Sequence, residues 1–321
     1  MIQIVGAGII GLTTAIVLTS RGYKVRIIHD STSLYASSKA GAHFRPVSTE
    51  EGLMRNLEKD TFQILDKLTD LGIGIQYADG EEYHNENFEL SWLPIEFISK
   101  KGYKLAISYK QFVINVPRHL DFLRNQLLQS GVDFIDMKIQ NFAEFTNQNP
   151  NDIFINCSGF DAGTLVKDPM VFPIRGQTVL VDAPLINKSY FAMNDGSPVY
   201  AIPRGDGTVI LGGTFKNNDP STVVDDATTD RIISGCTELF GINFNKIISV
   251  QVGIRPGREL IKISRDANII HNYGHGPCGW QTSYGSAFQV LRLIQDLEPI
   301  PGQHFNNFFM QRLDPLINAK L

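Results

Sequence analysis

Cysteine is scarce. Three occur in 321 residues, at Cys157, Cys236 and Cys278, with no paired spacing. That excludes a disulfide framework and points to a reducing compartment. An excess of one charge is missing too. Lys and Arg total 29 against 33 Asp and Glu, a net charge of −4, which leaves no electrostatic footprint for nucleic acid. No apolar run is long enough to span a membrane. Internal repeats and low-complexity tracts are absent. The first residues carry no basic segment, so they are expected to enter the fold directly and not to act as a secretory signal. What is present is a 43% hydrophobic chain, ample for a large core in two domains or one large one.

The N-terminus carries the densest signal. Ile2-Gln3-Ile4-Val5 leads straight into Gly6-Ala7-Gly8-Ile9-Ile10-Gly11, an apolar run followed by G-x-G-x-x-G. Residues 2–5 are too apolar to face water and read as a central parallel strand. Gly6 allows a tight turn, Gly8 lets backbone approach a pyrophosphate, and Gly11 lets the next helix pack closely. Residues 9–21 read as a helix apolar nearly all round, with Gly22 as its C-terminal stop. Its N-terminus would offer free N–H groups to phosphate. Residues 24–29 read as the second strand. Asp30 follows about twenty residues after the last glycine, where an acid meets ribose hydroxyls. Strand, helix, stop and acid together predict a dinucleotide-binding βαβ unit.

Further along, residues 31–47 read as loop. Residues 50–71 read as a helix with Leu53, Leu57, Leu65 and Leu68 on one stripe. Residues 73–115 mix short strands and turns. Residues 117–130 form a helix opened by Pro117 and closed by Gly131, with Leu120, Leu123, Leu127 and Leu128 inward. Val132–Ile135 and Ile153–Asn156 read as strands. From 177 to 263 strands dominate: Gln177–Val181, Val199–Ile202, Thr208–Leu211 and Ile247–Val252. A final helix covers roughly 284–297. Strand–helix alternation at both ends around an antiparallel block predicts an α/β fold. It has a Rossmann-like dinucleotide domain (1–50, 117–176, 264–321) and an inserted antiparallel-sheet substrate domain (51–116, 177–263).

Several segments carry a more specific likeness. They are Ala40-Gly41-Ala42 with Pro46, Ile155-Asn156-Cys157-Ser158-Gly159, Arg175-Gly176-Gln177 leading to Val181-Asp182-Ala183-Pro184, and Leu211-Gly212-Gly213-Thr214. Ile254-Arg255-Pro256 and His271-Asn272-Tyr273-Gly274-His275-Gly276 complete them. In order and spacing the chain resembles the D-amino-acid oxidase and D-aspartate oxidase family of FAD enzymes over nearly its whole length. The resemblance implies FAD as cofactor. With the fingerprint, it places FAD on Gly6, Gly8, Ile9, Ile10, Gly11, Asp30, Ser37, Ser38, Gly41, Ala42, Ser158, Gly159, Gly276, Gly279 and Gln281. It also implies that Arg255 makes a paired contact with a substrate carboxylate, that Tyr200 hydrogen-bonds the same group, and that the Pro277 carbonyl accepts from the substrate amine. Proline departs from the Gly or Ser usual there but keeps its C=O.

Each assignment has a plainer reading. Arg255 and Arg258 can be surface charges or internal ion pairs, although the planar Arg fork matches a carboxylate. Tyr200 in an apolar strand reads on composition as core. His271 and His275 do not share a helical face and lack a completing ligand, so no metal is expected. The stretch 190–200, where the family has its lid, looks short and lacks an additional lid Tyr. His43 and Arg45 fall near the expected pocket. Arg45 either favours an acidic side chain or pairs with a loop acid or a cofactor phosphate.

The implied activity is oxidative deamination of D-amino acids, acidic ones included. Hydride passes from the α-carbon to flavin N5, and dioxygen then yields hydrogen peroxide, a 2-oxo acid and ammonia. The alternatives are an FAD oxidase of glycine, sarcosine, cyclic imino acids or another amine, and a non-catalytic nucleotide-binding relative. Expected partners are the amino acid and dioxygen, with no nucleic acid and no membrane; a homodimer is left open. Ala319-Lys320-Leu321 is close to the Ser-Lys-Leu address, so an import receptor and the peroxisomal matrix are expected.

Overall fold

The structure is a computed structural model. It describes residues 1–33, 36–46, 51–85, 92–194, 197–244 and 246–297, together with Phe309 and Leu313. Two sheets organise the chain. The first has six strands in the order Lys262–Asp266, Ile269–Tyr273, Ile153–Asn156, Ile2–Val5, Val25–His29, Asp133–Asp136. Five run parallel, and Lys262–Asp266 is the antiparallel edge. Ile2–Val5 lies inside this sheet with all four residues buried, as its unbroken apolar run requires.

Helix Ile9–Ser20 follows, buried on almost every side. It packs on helix Gly279–Gln295, where Thr13 Oγ1 donates to the Ser283 carbonyl at 3.3 Å. Gly6 makes the junction. Its φ is +112°, a conformation side chains avoid, and a Cβ there would collide with the Cys157 carbonyl. A Cβ at Gly11 would collide with the Gly6 carbonyl. Strand end, helix start and Cys157 therefore meet backbone to backbone.

The second sheet has nine strands. Eight run in the order Lys216–Asn217, Phe172–Asp182, Thr208–Gly212, Ser197–Pro203, Ser189–Asn194, Ile75–His84, Leu105–Ile114, Glu96–Ile98, and Ile247–Gly257 also pairs with Phe172–Asp182. It is antiparallel except where Ser189–Asn194 runs parallel to Ile75–His84. Alternation divides its faces. Val179, Val181, Val199, Ala201, Val209 and Leu211 pack on helix Asp226–Phe240 through Ile232 and Cys236. The residues between them, Thr178, Tyr200 and Ile202 among them, face the other way into a cavity.

The structure differs from the pattern reading in several places. Helix Asp226–Phe240 lies within the stretch read as strands. Its start was written in the chain, since the Asp225 side chain accepts from Thr228 N at 2.7 Å. Its buried stripe is Thr228, Thr229, Ile232 and Cys236, and β-branched residues imitate strand composition. The last helix begins at Gly279, five residues before the expected 284. Weak helix formers at Gly279, Thr282 and Ser283 hide its first turn. Leu53 and Leu128 are exposed, while Glu58 and Thr61 are buried. Helix Leu53–Leu68 runs against Gly279–Gln295, and a Cβ at Gly285 would strike the Leu57 backbone.

One buried group links the fold to pH. His119 is 0% exposed beside Trp280, with Nδ1 3.2 Å from the Ile73 carbonyl. Burial pushes its pKa down to about 4. The unfolded chain binds a proton there below pH ~6.5 while the fold does not. Its contribution is therefore full above that pH and is lost as pH falls toward 4. His119→Phe is expected to lose about 2 kcal/mol less stability than the native chain between pH 7.5 and 5, checked by urea unfolding at both pH values.

Candidate active site

Between the sheets lies one cavity of about 1220 Å³, larger than the 300–1,000 Å³ of ordinary ligand pockets. Val5, His29 and Cys157, at the carboxyl ends of three parallel strands, open onto it, the position of ligands in open α/β sheets.

At this end the wall is mostly backbone. The N-terminus of helix Ile9–Ser20 has no side-chain cap at Gly8, and Ile9 N donates to Ser37 Oγ at 3.0 Å. Orphan N–H groups and the positive dipole end suit a phosphate. Asp30 follows strand Val25–His29 and accepts from Thr32 N at 2.9 Å and from Thr32 Oγ1. Those bonds hold its carboxyl below the usual range, so it faces the cavity ionised. Ser158 Oγ donates to Asn156 at 2.6 Å, and Gly159 adopts φ +62°. Gly6, Gly8, Ile9, Ile10, Asp30, Ser37, Gly41, Ala42, Ser158, Gly159, Gly276, Gly279 and Gln281 all line the cavity. Gly11 and Ser38 do not. Gly11 is spent on packing. In the short turn Ala36–Lys39, Ala36, Ser37 and Lys39 face the cavity while Ser38 does not.

At the other end Arg255 and Tyr200 come together by a side-chain hydrogen bond, and Pro277 lines the same cavity. Arg255 projects from strand Ile247–Gly257, and its Nη1 donates to the Thr214 carbonyl at 3.2 Å. Gly176 makes room for it, because a Cβ there would strike the guanidinium. Tyr200 lies over Gly212 and Gly213, where a Cβ would meet its ring. Burial pushes the Tyr200 phenol up, against the pull of the neighbouring Arg255 cation and its hydrogen bond. The hydroxyl therefore stays a proton donor at neutral pH. An Arg fork and a phenol from two strands of one sheet meet here. Such a pair grips a carboxylate.

The remaining candidates separate cleanly. Arg258 is an internal ion pair: its Nε donates to Asp168 at 3.1 Å, and the Tyr273 hydroxyl donates to the same oxygen at 2.7 Å. Arg45 is paired with Glu82, at 2.9 and 3.0 Å. That acid sits on a strand and not in a loop. His43 Nδ1 lies 3.1 Å from Ser189 Oγ. Burial, then Arg45, pushes the His43 pKa down to about 4. The stretch 190–200 is a strand pair, and its tip at 195–196 lies outside the described residues.

The sequence did not single out Glu58, which is fully buried and accepts from Gln281 Nε2 at 3.0 Å and Trp92 Nε1 at 3.2 Å. A charged residue inside a leucine stripe was the available signal. The sequence did not single out Thr178 Oγ1 either, and it raised His275 only as a metal ligand, not for its Nε2 as a ligand contact. Both are buried on this wall with no partner among the described residues. Orphaned polar atoms on a cavity wall fit a polar ligand there. Cys278 is buried there as well, and burial pushes its thiol up to about 12, so it stays protonated. Among the described residues no three His, Cys, Asp or Glu side chains are placed to hold a metal, and no helix is long and apolar enough to cross a membrane.

The family profile of the FAD-dependent oxidoreductases (DAO) matches residues 1–293. The chain belongs to this FAD-dependent oxidoreductase family. A D-amino acid oxidase of Dugesia ryukyuensis is 30% identical, over 92% of this chain and 98% of that relative. Glycine oxidase from Geobacillus kaustophilus shares the fold, with a TM-score of 0.75 at 17% identity over 96% of this chain and 98% of that one. The L-alpha-glycerophosphate oxidase of Mycoplasma pneumoniae, solved with FAD bound, also has a TM-score of 0.75, at 16% identity over 96% and 97%. As a DAO-family member the protein is an FAD-dependent enzyme. The glycine cradle, the helix N-terminus and the ionised Asp30 fit that cofactor.

Proposed function

We propose that the protein oxidises D-amino acids, giving a 2-oxo acid, ammonia and hydrogen peroxide. The observation that carries the reading is the contact of Arg255 with Tyr200 in the cavity that holds the dinucleotide cradle and is also lined by Pro277. The name of the Dugesia relative supports it. Arg255 and Tyr200 bind the substrate carboxylate, one by its fork and one by its phenol. The Pro277 carbonyl accepts from the amine. Three contacts fix the α-carbon, and positioning of this kind supplies much of an enzyme's acceleration. Bound FAD supplies the two-electron acceptor, with dioxygen as the final oxidant. Phe191, Met193 and Ile254 give the same cavity an apolar lining.

Anaerobic titration with matched D- and L-amino acids tests the reading. The D-isomers are expected to bleach the flavin absorbance and the L-isomers to leave it. Bleaching by glycine or sarcosine alone would move the protein to the neighbouring amine-oxidase reading. Loss of response to every amino acid would remove the activity.

Peroxisomal matrix localisation through the import receptor belongs to the proposal as well. Ala319-Lys320-Leu321 lies outside the described residues; its support is the nearness of the tripeptide to Ser-Lys-Leu. Deleting it is expected to disperse a fluorescently tagged protein from peroxisomes, and unchanged localisation would remove the address. A homodimer remains part of the proposal, to be read from sedimentation.

A further inference from the structure

The wall beyond Tyr200 carries charge that the reading above leaves unused. Strand register sets its order. Thr178 stands opposite Gly212, Gly212 opposite Tyr200, Tyr200 opposite Phe191, and Phe191 opposite Glu82. Paired residues share a face of the sheet. Strands lie about 4.8 Å apart, so Glu82 is roughly 10 Å along the rung from Tyr200. Phe191, between Tyr200 and Glu82 on this rung, lines the same cavity as Tyr200 and Arg255.

Arg45 enters the rung from the segment after Gly41-Ala42. Its guanidinium carbon lies 4.0 Å from the Phe191 ring centroid. Its Nε and Nη2 donate to the two Glu82 oxygens at 2.9 and 3.0 Å. The Tyr109 hydroxyl donates to the same carboxylate, and His84 Nε2 lies 3.1 Å from it. Glu82 is 2% exposed. Burial opposes its ionisation, yet His84 and the Arg45 cation hold its pKa to about 2. Arg45 itself lines the cavity.

We propose that the Arg45–Glu82 pair, lying on Phe191, is the specificity determinant of the side-chain compartment, admitting uncharged side chains and turning acidic ones away. This rests on the reading that Arg255 and Tyr200 hold an amino-acid carboxylate. The physics is charge compensation. A guanidinium recognises a carboxylate by presenting two parallel N–H groups. Here the Nε/Nη2 edge is spent on Glu82, and its face is spent on Phe191. An acidic side chain arriving beside Arg45 would lose its water and meet a cation whose charge the buried Glu82 carboxylate already offsets at 2.9 and 3.0 Å. An uncharged chain packs against Phe191, Met193 and the neutral His43 ring, at no such cost. Selectivity is then a difference built by exclusion as much as by attraction.

The test uses the full-length FAD-loaded protein and near-isosteric probe pairs. D-methionine and D-glutamate are compared in kcat/KM. Pentanoate and glutarate are compared in binding by the change in flavin absorbance, which needs no turnover. The native chain is expected to favour the uncharged member of each pair by at least ~30-fold. Glu82→Gln keeps the shape and removes the anion, so it is expected to narrow both ratios tenfold or more. The double variant R45M/E82Q is expected to restore the preference. Native preference for D-glutamate or glutarate would overturn the proposal, as would FAD-loaded Glu82→Gln with unchanged ratios. If Glu82→Gln does not fold, the native chain and R45M/E82Q decide. Shared preference for pentanoate upholds the proposal, and a double variant that gains glutarate binding overturns it. If FAD is bound but neither carboxylate perturbs it, the carboxylate grip fails and takes the pair's role with it. If carboxylates bind but no amino acid reduces the flavin, only the oxidase activity fails.

Discussion

Arg255→Met is expected to lower kcat/KM for the preferred amino acid by on the order of 10²- to 10³-fold. Methionine preserves most of the aliphatic stem and removes the fork. The substrate carboxylate then loses a bidentate, charge-assisted contact, an effect of about 3–4 kcal/mol. Tyr200 remains but offers a single donor. Its phenol also loses the cation that pulls its pKa down, so it donates more weakly. The fold has less to lose, since within the described residues the Arg255 guanidinium gives one backbone hydrogen bond, to Thr214. Stability is therefore expected to change by under ~1.5 kcal/mol. Arg255→Lys is expected to recover only part of the activity, because a point charge on a shorter chain cannot reproduce the planar grip. Steady-state kinetics alongside thermal unfolding checks all three statements. A folded, FAD-loaded Met variant with native kcat/KM would remove Arg255 from the site.

Gly6→Val is expected to abolish FAD retention through purification. At φ +112° a β-branched residue is strained by roughly 1–3 kcal/mol, and the new side chain would run into the Cys157 carbonyl. That carbonyl belongs to the segment that places Ser158 and Gly159 on the cavity. The collision cannot be relieved by a rotamer, because both partners are backbone. The strand end must shift, and with it the helix N-terminus aimed at the cofactor. A stability loss of several kcal/mol is a large share of the 5–15 kcal/mol typical of a native protein. The checks are the flavin-to-protein absorbance ratio and the unfolding midpoint with and without added FAD. A yellow variant with a native midpoint would show that Gly6 is not needed for the junction.

The N-terminal βαβ unit was legible because its physics is local. An apolar run, a glycine turn, an apolar helix and an acid after the second strand are each dictated by neighbours in sequence, and Ile2–Val5, Ile9–Ser20 and Asp30 stand where that pattern puts them. Helix Val116–Gln129 was legible for the same reason, with Pro117 in its first turn and Gly131 just past its end. Helix Asp226–Phe240 was not, because threonines line its inner face and only packing on the second sheet decides between helix and strand there. Arg45 shows the limit most clearly. Its charge and its place near the pocket were visible in the chain, but its partner Glu82 is 37 residues away on another strand.

The sequence alone therefore determined the cofactor unit and the alternation of an α/β chain, since these depend on short-range pattern and residue chemistry. The tertiary structure alone decided which polar groups are spent and which are free to act. Asp168 ties down Arg258, Glu82 occupies Arg45, and Gly176 leaves room for Arg255. The reason is that pairing across strands sets distances between residues far apart in the chain, and those distances decide whether a charge is a ligand or half of an ion pair.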